Sequence, residues 1–322
     1  MLTNFYLDSE VFDDAQLQEI PQANLSILYD WQHYGCLGYC NKHEEEILHS
    51  IKKVVPKYHI KWQTAFAQFK KTKITPRKAI MSEYDDFLDL KNEMNSYDVQ
   101  TAVISSAFLD YYLPEHKDML FEVVSPSNFG ESVSFSKSKT MSLEQIKKGD
   151  DINLIWKNKF HCLAKHSKHI TIIDRYSALN ILEDHANGKK TSLELIIDFL
   201  TTTGGKFDIT IYGACDIPKK SVNATTLKNY LDNHLRKQPN YLKTISNSGF
   251  SLCKNKFFGE EAHDRMISFD ESFVVEIGSG LDIFRDKPLA SNTFAIKIKT
   301  LTCFTEIYSK LSMNRELGCT NL

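Results

Sequence analysis

The chain has 322 residues, of which 42% are hydrophobic and 25% charged, with a formal net charge of −2. That balance excludes a disordered or low-complexity chain, and the length accommodates two domains of ordinary size. No apolar run approaches the roughly 20 residues of a membrane-spanning helix. The N-terminus is acidic and lacks the basic start of a secretory signal. Seven scattered cysteines, odd in number, do not read as a disulfide framework and fit a reducing cytoplasm. Cys36, Cys40 and His43 have the spacing of half a zinc site, but no second half follows. Ordinary buried thiols account for the cysteines, and no metal or other cofactor is expected.

In chain order, the N-terminal half reads as mainly helical α/β. Helices are expected over Leu25 to Tyr34, Glu44 to Lys53, Val54 to Phe69 (broken by Pro56) and Asp85 to Met94. Val99 to Ala107 and Phe121 to Ser125 read as buried strands. Ser125 to Lys148 is rich in Ser, Lys and Gly, a loop followed by a helix opened by Ser142 and Gln145. A domain boundary near residue 140 is expected, giving an accessory domain over 1–140 and a second domain over 141–322.

The second half is easier to read. Asp151 to Ser167 is helical, with Ile155, Phe160 and Leu163 as its apolar stripe. His169 to Ile173 is a buried-type strand ending in Asp174 and Arg175. Thr191-Ser-Leu-Glu194 is a capping box that opens a helix, and Gly204-Gly205 stops it. Phe207 to Tyr212 is the next strand, and a helix bearing Leu227, Tyr230, Leu231 and His234 runs until Pro239. Phe250 to Phe257, a strand around His263, Phe273 to Ile277 and Thr293 to Lys299 follow. A closing helix carries Phe304, Ile307, Tyr308 and Leu311. This alternation predicts a mixed sheet with helices on both faces.

Charge is segregated. Residues 1–50 hold nine acids and one lysine, whereas residues 51–78 hold nine basic residues and no acid. A solvated helix face accounts for the second run better than binding does. From Lys206 to Lys256 there are nine basic residues against three acids, immediately before His263. A basic surface there suits nucleic acid or anionic lipid head groups, and solubilising loop lysines account for it equally well.

The densest chemistry lies in H-D-R-M-I-S-F-D-E-S-F-V-V-E-I-G-S-G-L-D, residues 263–282. On a strand His263 and Arg265 share a face, and Gly278-Ser279 returns on the next strand to the same edge. An imidazole beside a permanent cation suits a phosphodiester, whose oxygens need positive charge as phosphorus is attacked. A lone H-x-R could equally be an exposed strand end; the ordered set His263, Arg265, Asp270, Gly278, Ser279 and Asp282 is more specific. Asp174, Arg175 and Tyr212 stand at strand ends where ligands of open α/β sheets bind; a structural salt bridge capping the sheet is the competing reading. His161, His166 and His169 fan out along a helix and a strand and do not form a metal site.

These motifs resemble the phospholipase D superfamily, which carries H-x-K, a carboxylate five residues on, a Gly-Ser pair and an asparagine. The nearer likeness is to the phospholipase D-like C-terminal domain of MIT-domain proteins, with H-D-R at 263–265, G-S-G-L-D-I-F at 278–284 and Asp286-Lys287-Pro288 after it. The likeness reaches back loosely to His169 and leaves the N-terminal half uncovered. It implies a phospholipase D-like mixed sheet and one of two roles. The first is a phosphodiesterase, more a nuclease than a lipase, acting in defence against foreign nucleic acid. The second is a non-catalytic dimerising module that binds anionic lipid or a protein partner. As an enzyme, His263 would attack phosphorus or shuttle protons, Arg265 would hold the anionic oxygens, Asp270 would orient the imidazole and Ser279 would donate to phosphate. Asp174, Arg175, Tyr212, Lys254, Lys256 and Gly278 would contact substrate. With a single H-x-R per chain, a homodimer is expected, with nucleic acid and a defence-system protein as further partners. Arg265 and Asp282 stand where the superfamily has lysine and asparagine; the aspartate argues against catalysis unless it faces away. At the other end of the chain, Leu7-Asp8-Ser9-Glu10 faintly resembles the opening of PIN-type metal-dependent nucleases. That chemistry would need further carboxylates at strand ends, for which Asp98 and Asp110 are available.

Overall fold

The computed structural model describes residues 2–78, 80–109, 121–218, 220–258 and 265–316. The chain folds as two compact units, residues 2–140 and residues 141–322.

The N-terminal unit is built on strands β1 (Thr3–Leu7), β2 (Gly35–Tyr39), β3 (Lys71–Lys73), β4 (Thr101–Val103) and β5 (Glu122–Val124). All neighbours are parallel, in the order β3-β2-β1-β4-β5. Only two of these five strands are legible in the sequence. The reason is physical: a central parallel strand is covered on both faces and carries no alternation, and every residue of β1 is buried. The helix expected after Val54 is not broken by Pro56; the proline is its first residue, in Pro56–Gln68, where its missing N–H costs nothing. A helix, Val133–Leu143, replaces the loop expected there. Its start is held by the buried Glu122 carboxylate, which accepts from Val133 N and Ser134 N at 3.0 Å each. The helix expected from Ser142 does not form, and Ile146 instead bridges to Asn292.

At the end of β1, Asp8 is almost fully buried and accepts hydrogen bonds from Glu10 N (3.0 Å) and Met81 N (2.8 Å). Burial pushes its carboxyl up to about 7. The folded unit therefore holds a proton there that the unfolded chain releases near pH ~4. The associated stability is fully present below about pH 4 and is lost as pH rises to about 7. Asp8→Asn should flatten this part of the curve of stability against pH, read by urea unfolding at a series of pH values.

The C-terminal unit holds a seven-stranded mixed sheet. Its strands are β6 (His169–Ile173), β7 (Phe207–Ala214), β10 (Ile245–Cys253), β11 (Arg265–Phe269), β12 (Phe273–Ile277), β13 (Phe294–Ile298) and β14 (Arg315–Glu316), and a small hairpin, β8 (Asp216–Ile217) with β9 (Lys220–Ser221), stands apart. The order is β13-β12-β11-β6-β7-β10-β14. Strands β6, β7 and β10 are parallel, whereas β11, β12, β13 and β14 each run against a neighbour. One sheet face is apolar, and Ile209, Ile211 and Phe250 meet Leu193 and Ile197 of helix Ser192–Thr201. On the other face, helix Phe304–Met313 buries Phe304, Ile307 and Leu311 in one cluster with Ile173, Tyr212, Ala214 and Met266. The mixed sheet with helices on both faces agrees with the sequence reading. Two boundaries differ. Strand β10 begins five residues earlier than expected and ends at Cys253, and Pro239 opens a new helix, Pro239–Thr244, rather than ending the preceding one.

The Thr191 capping box forms as read. Glu194 N donates to Thr191 Oγ1 (3.3 Å), Thr191 N donates to Glu194 Oε2 (2.8 Å), and the buried Thr191 hydroxyl also meets Tyr230 OH at 2.7 Å. Thr191→Ala removes the cap and strands the tyrosine hydroxyl, so urea unfolding should show a loss of about 1–2 kcal/mol.

Candidate functional site

The C-terminal ends of β6, β7 and β10, the start of β11 and the end of β12 all lie on one edge of the sheet. Across that edge the order is Gly278, Arg265, Asp174, Ala214 and Lys254, with neighbouring strands ~5 Å apart. Of the candidate residues, the fold gathers Asp174, Arg175, Arg265, Gly278, Ser279, Lys254 and Lys256 here. His263 lies outside the described residues, as do Asp264 and Asp110.

Asp174 organises the edge. Its carboxylate is buried and accepts from Tyr176 N (2.9 Å) and Leu281 N (2.8 Å), and Arg265 Nε lies 3.5 Å from it. Burial pushes the Asp174 carboxyl up, and Arg265 and the two N–H donors oppose that shift. Arg265 also donates from Nη1 to Gly278 O (2.7 Å), and its guanidinium carbon lies 4.9 Å from the centre of the Tyr176 ring. Arginine suits this position because a planar fork can serve carboxylate, carbonyl and ring face together, which an ammonium cannot. Gly280 completes the clamp at φ +58°, and a Cβ there would collide with Arg265 and Asp174. Gly278 is small for another reason: a Cβ would meet Thr293 Oγ1 at 2.6 Å.

Three polar groups on this edge are left over. Arg175 Nε, Ser279 Oγ and the Asn255 Oδ1 acceptor are buried atoms with no hydrogen-bond partner among the described residues. Arg175 also leans on Tyr176, its guanidinium carbon 5.2 Å from the ring centre. Asp282 brings no uncompensated charge: it accepts from Asn180 Nδ2 (2.6 Å) and lies 3.7 Å from Arg285 and 3.4 Å from Lys287. Arg285 in turn grips Asp184 at 2.8 and 2.5 Å and Glu183 at 3.0 Å. Lys254 follows the end of β10, and exposed Lys256 sits in the next turn with its ammonium 5.0 Å from the Phe257 ring. The roles of Asn180 and of the Arg285–Asp184 pair escape sequence reasoning, since those partners are about a hundred positions apart.

Three sequence assignments need correction. Asp270 lies at the far end of β11, ~16 Å along an extended strand from Arg265. Its carboxylate accepts from Lys168 N and His169 N at 2.9 Å each, from a backbone at φ +50°. It ties the start of β6 to the β11–β12 turn and cannot orient an imidazole two residues before Arg265. Tyr212 is wholly buried, its ring edge-on to Tyr308 at 5.6 Å, so it packs in the core and touches no substrate. In the N-terminal unit Asp98 precedes β4, at the opposite end of the parallel sheet from Asp8. No group of three or more metal-binding side chains occurs among the described residues.

Residues 207–304 match the family described as the phospholipase D-like domain at the C-terminus of MIT. The C-terminal domain of this chain is phospholipase D-like. No curated protein matches the chain. Among solved structures, phosphatidylserine synthase from Haemophilus influenzae Rd KW20 is similar at 13% identity and a TM-score of 0.26, over 53% of this chain and 38% of that one. The present chain thus spans well under half of that protein.

The clamp has a direct test. Gly280→Ala forces an L-residue into left-handed backbone and pushes a methyl into the Asp174–Arg265 pair, so urea unfolding should show a loss of roughly 2–4 kcal/mol.

Proposed function

We propose that the C-terminal unit is a phosphodiesterase acting on nucleic acid. The observation that carries this reading is the pair of unsatisfied groups, Arg175 Nε and Ser279 Oγ, beside an arginine already held in place. A buried donor without a partner is costly unless something fills it, and a phosphate oxygen fits a guanidinium and a hydroxyl on one edge. Arg265 then fixes the position of the site more than it supplies free charge, because Asp174 cancels much of it. Asp282, engaged by Asn180, Arg285 and Lys287, does not repel the substrate.

In this reading His263 attacks phosphorus, an N–P bond forms as the P–O bond to the leaving group breaks, and a proton donor protonates the departing oxygen. Water then cleaves the N–P bond and restores the imidazole. The second histidine of such chemistry would come from a second copy of the chain, in a two-fold homodimer with these edges facing one another. Lys254 and Lys256 would extend the site along a polyanion. Defence against foreign nucleic acid, with a protein partner, is the setting we propose for it. The second reading, a dimerising module that binds anionic lipid or protein without turnover, draws on the same clamp: an Arg265 already neutralised by Asp174 has little left to give a transition state.

The test uses the full chain with plasmid DNA, RNA, phosphatidylserine vesicles and a chromogenic phosphodiester. Cleavage of nucleic acid should survive EDTA, since the protein supplies nucleophile and charge. His263→Ala should abolish turnover with DNA affinity nearly unchanged, and Arg175→Ala should lower both. Charge reversal at Lys254 and Lys256 together should weaken binding and reduce the salt slope by ~2. A folded wild-type dimer inert on every phosphodiester would leave the binding module as the answer.

A further inference from the structure

In the N-terminal unit, helix Pro21–Tyr34 turns two faces to use. One packs on the sheet through Ile27 and Trp31. The other carries Leu25, Tyr29 and Gln32, spaced i, i+4, i+7, over the buried Leu28, where a solvated face would be polar. Helix Pro56–Gln68 faces it with Ile60 and Thr64, and Phe69 closes one end. Between them lies a groove of about 360 Å³. Its apolar walls are open: Leu25 is 44%, Tyr29 53% and Ile60 72% exposed. Contiguous exposed apolar surface of this kind marks an interaction site more often than scattered single residues do.

Charge says what would fill it. The 51–78 segment that supplies one wall has nine basic residues and no acid. Lys61 lines the groove and Lys57 stands one turn before it, and neither forms an ion pair among the described residues. On the opposite helix the one acid is Asp30, which is buried and bound to Lys139 at 2.7 Å. The rim is therefore positive with nothing on its own two helices to balance it. A groove with aliphatic walls and a basic rim is complementary to an amphipathic helix with an acidic outer face. A single-stranded nucleic acid fits less well. Three of the wall residues are aliphatic, and the Tyr29 ring is already stacked by His33 at 4.0 Å, leaving one face for a base. The span from Leu25 to Gln32 is ~10 Å along the helix, room for about two turns of a partner.

We propose that this groove docks an acidic amphipathic helix of a partner protein, independently of the sheet edge in the C-terminal unit. The experiment titrates the full-length chain with a small panel of fluorescently labelled acidic peptides of about 16 residues, with leucines at i, i+3 or i+4, and i+7. A sequence-scrambled acidic peptide, a lysine-for-glutamate peptide and a single-stranded oligonucleotide serve as competitors. At least one amphipathic acidic peptide should bind saturably, and more weakly at high salt. Ile60→Asp should lower affinity at least tenfold and Lys61→Glu several-fold; both positions are exposed, so an unchanged melting curve checks the fold. His263→Ala should leave the affinity unchanged, which separates this proposal from the phosphodiesterase. Equal binding of the scrambled or lysine peptide, displacement by the oligonucleotide, no binding by any member of the panel, or full binding by Ile60→Asp would each overturn it.

Discussion

The C-terminal unit depends on one buried carboxylate. Asp174 has been taken out of water at the end of a strand, and a bare carboxylate there would cost several kcal/mol. Two backbone N–H donors and the Arg265 guanidinium offset that cost. Each donor comes from a different part of the chain: Tyr176 from the turn after β6, Leu281 from the segment after β12, and Arg265 from β11. The requirement to satisfy one charge therefore fixes three segments at once. The positive φ of Gly280 follows from it, because no side chain fits where the pair closes.

That arrangement divides labour between two arginines that both lie against the Tyr176 ring. Arg265 is committed inward, to Asp174 and to the Gly278 carbonyl. Arg175, which follows Asp174 in the chain, has its Nε unsatisfied among the described residues. An edge built in this way keeps its geometry whether or not an anion is present, since the ordering of the first arginine does not wait for a ligand. Preorganisation of this kind is what electrostatic recognition of a phosphate requires.

The C-terminal sheet was legible because its strands announce themselves. Residues 169–173, 207–214 and 273–277 are runs of β-branched and aromatic residues, and Phe294–Ile298 alternates with Lys297 outward. Strands β1, β2 and β3 were illegible for opposite reasons. The first is buried on both faces, the second begins with a glycine forced by close packing against Trp31, and the third is Lys-Thr-Lys, whose composition says loop. At the site, Arg265 and Gly278-Ser279 were found by spacing, because a strand and its antiparallel return bring the start of one to the end of the other. Spacing misled for Asp270: five residues is close in sequence and the full length of the strand in space. Tyr212 misled because its position at a strand end says nothing of which face its ring takes, and that face is covered by helix Phe304–Met313. The Arg285–Asp184 grip left no local trace at all.

Asp8 and Asp174 are the same device used twice. Each follows a strand of a parallel pair, accepts from the N–H two residues on, and accepts from the N–H of a remote segment, Met81 in one case and Leu281 in the other. Among the described residues, Asp174 has a cation beside it and Asp8 has none. In the N-terminal unit the neighbouring charges that act on Asp8 are those of Glu10 and Glu46, which repel it. Each unit is thus fastened by a buried carboxylate that burial pushes up, and the two differ in what opposes that push. Raising the pH loosens the first, and in the second Arg265 and two N–H donors oppose a shift in the same direction. Without that cation, Asp174 would keep the same kind of backbone donors as Asp8 and lose the charge that opposes its burial.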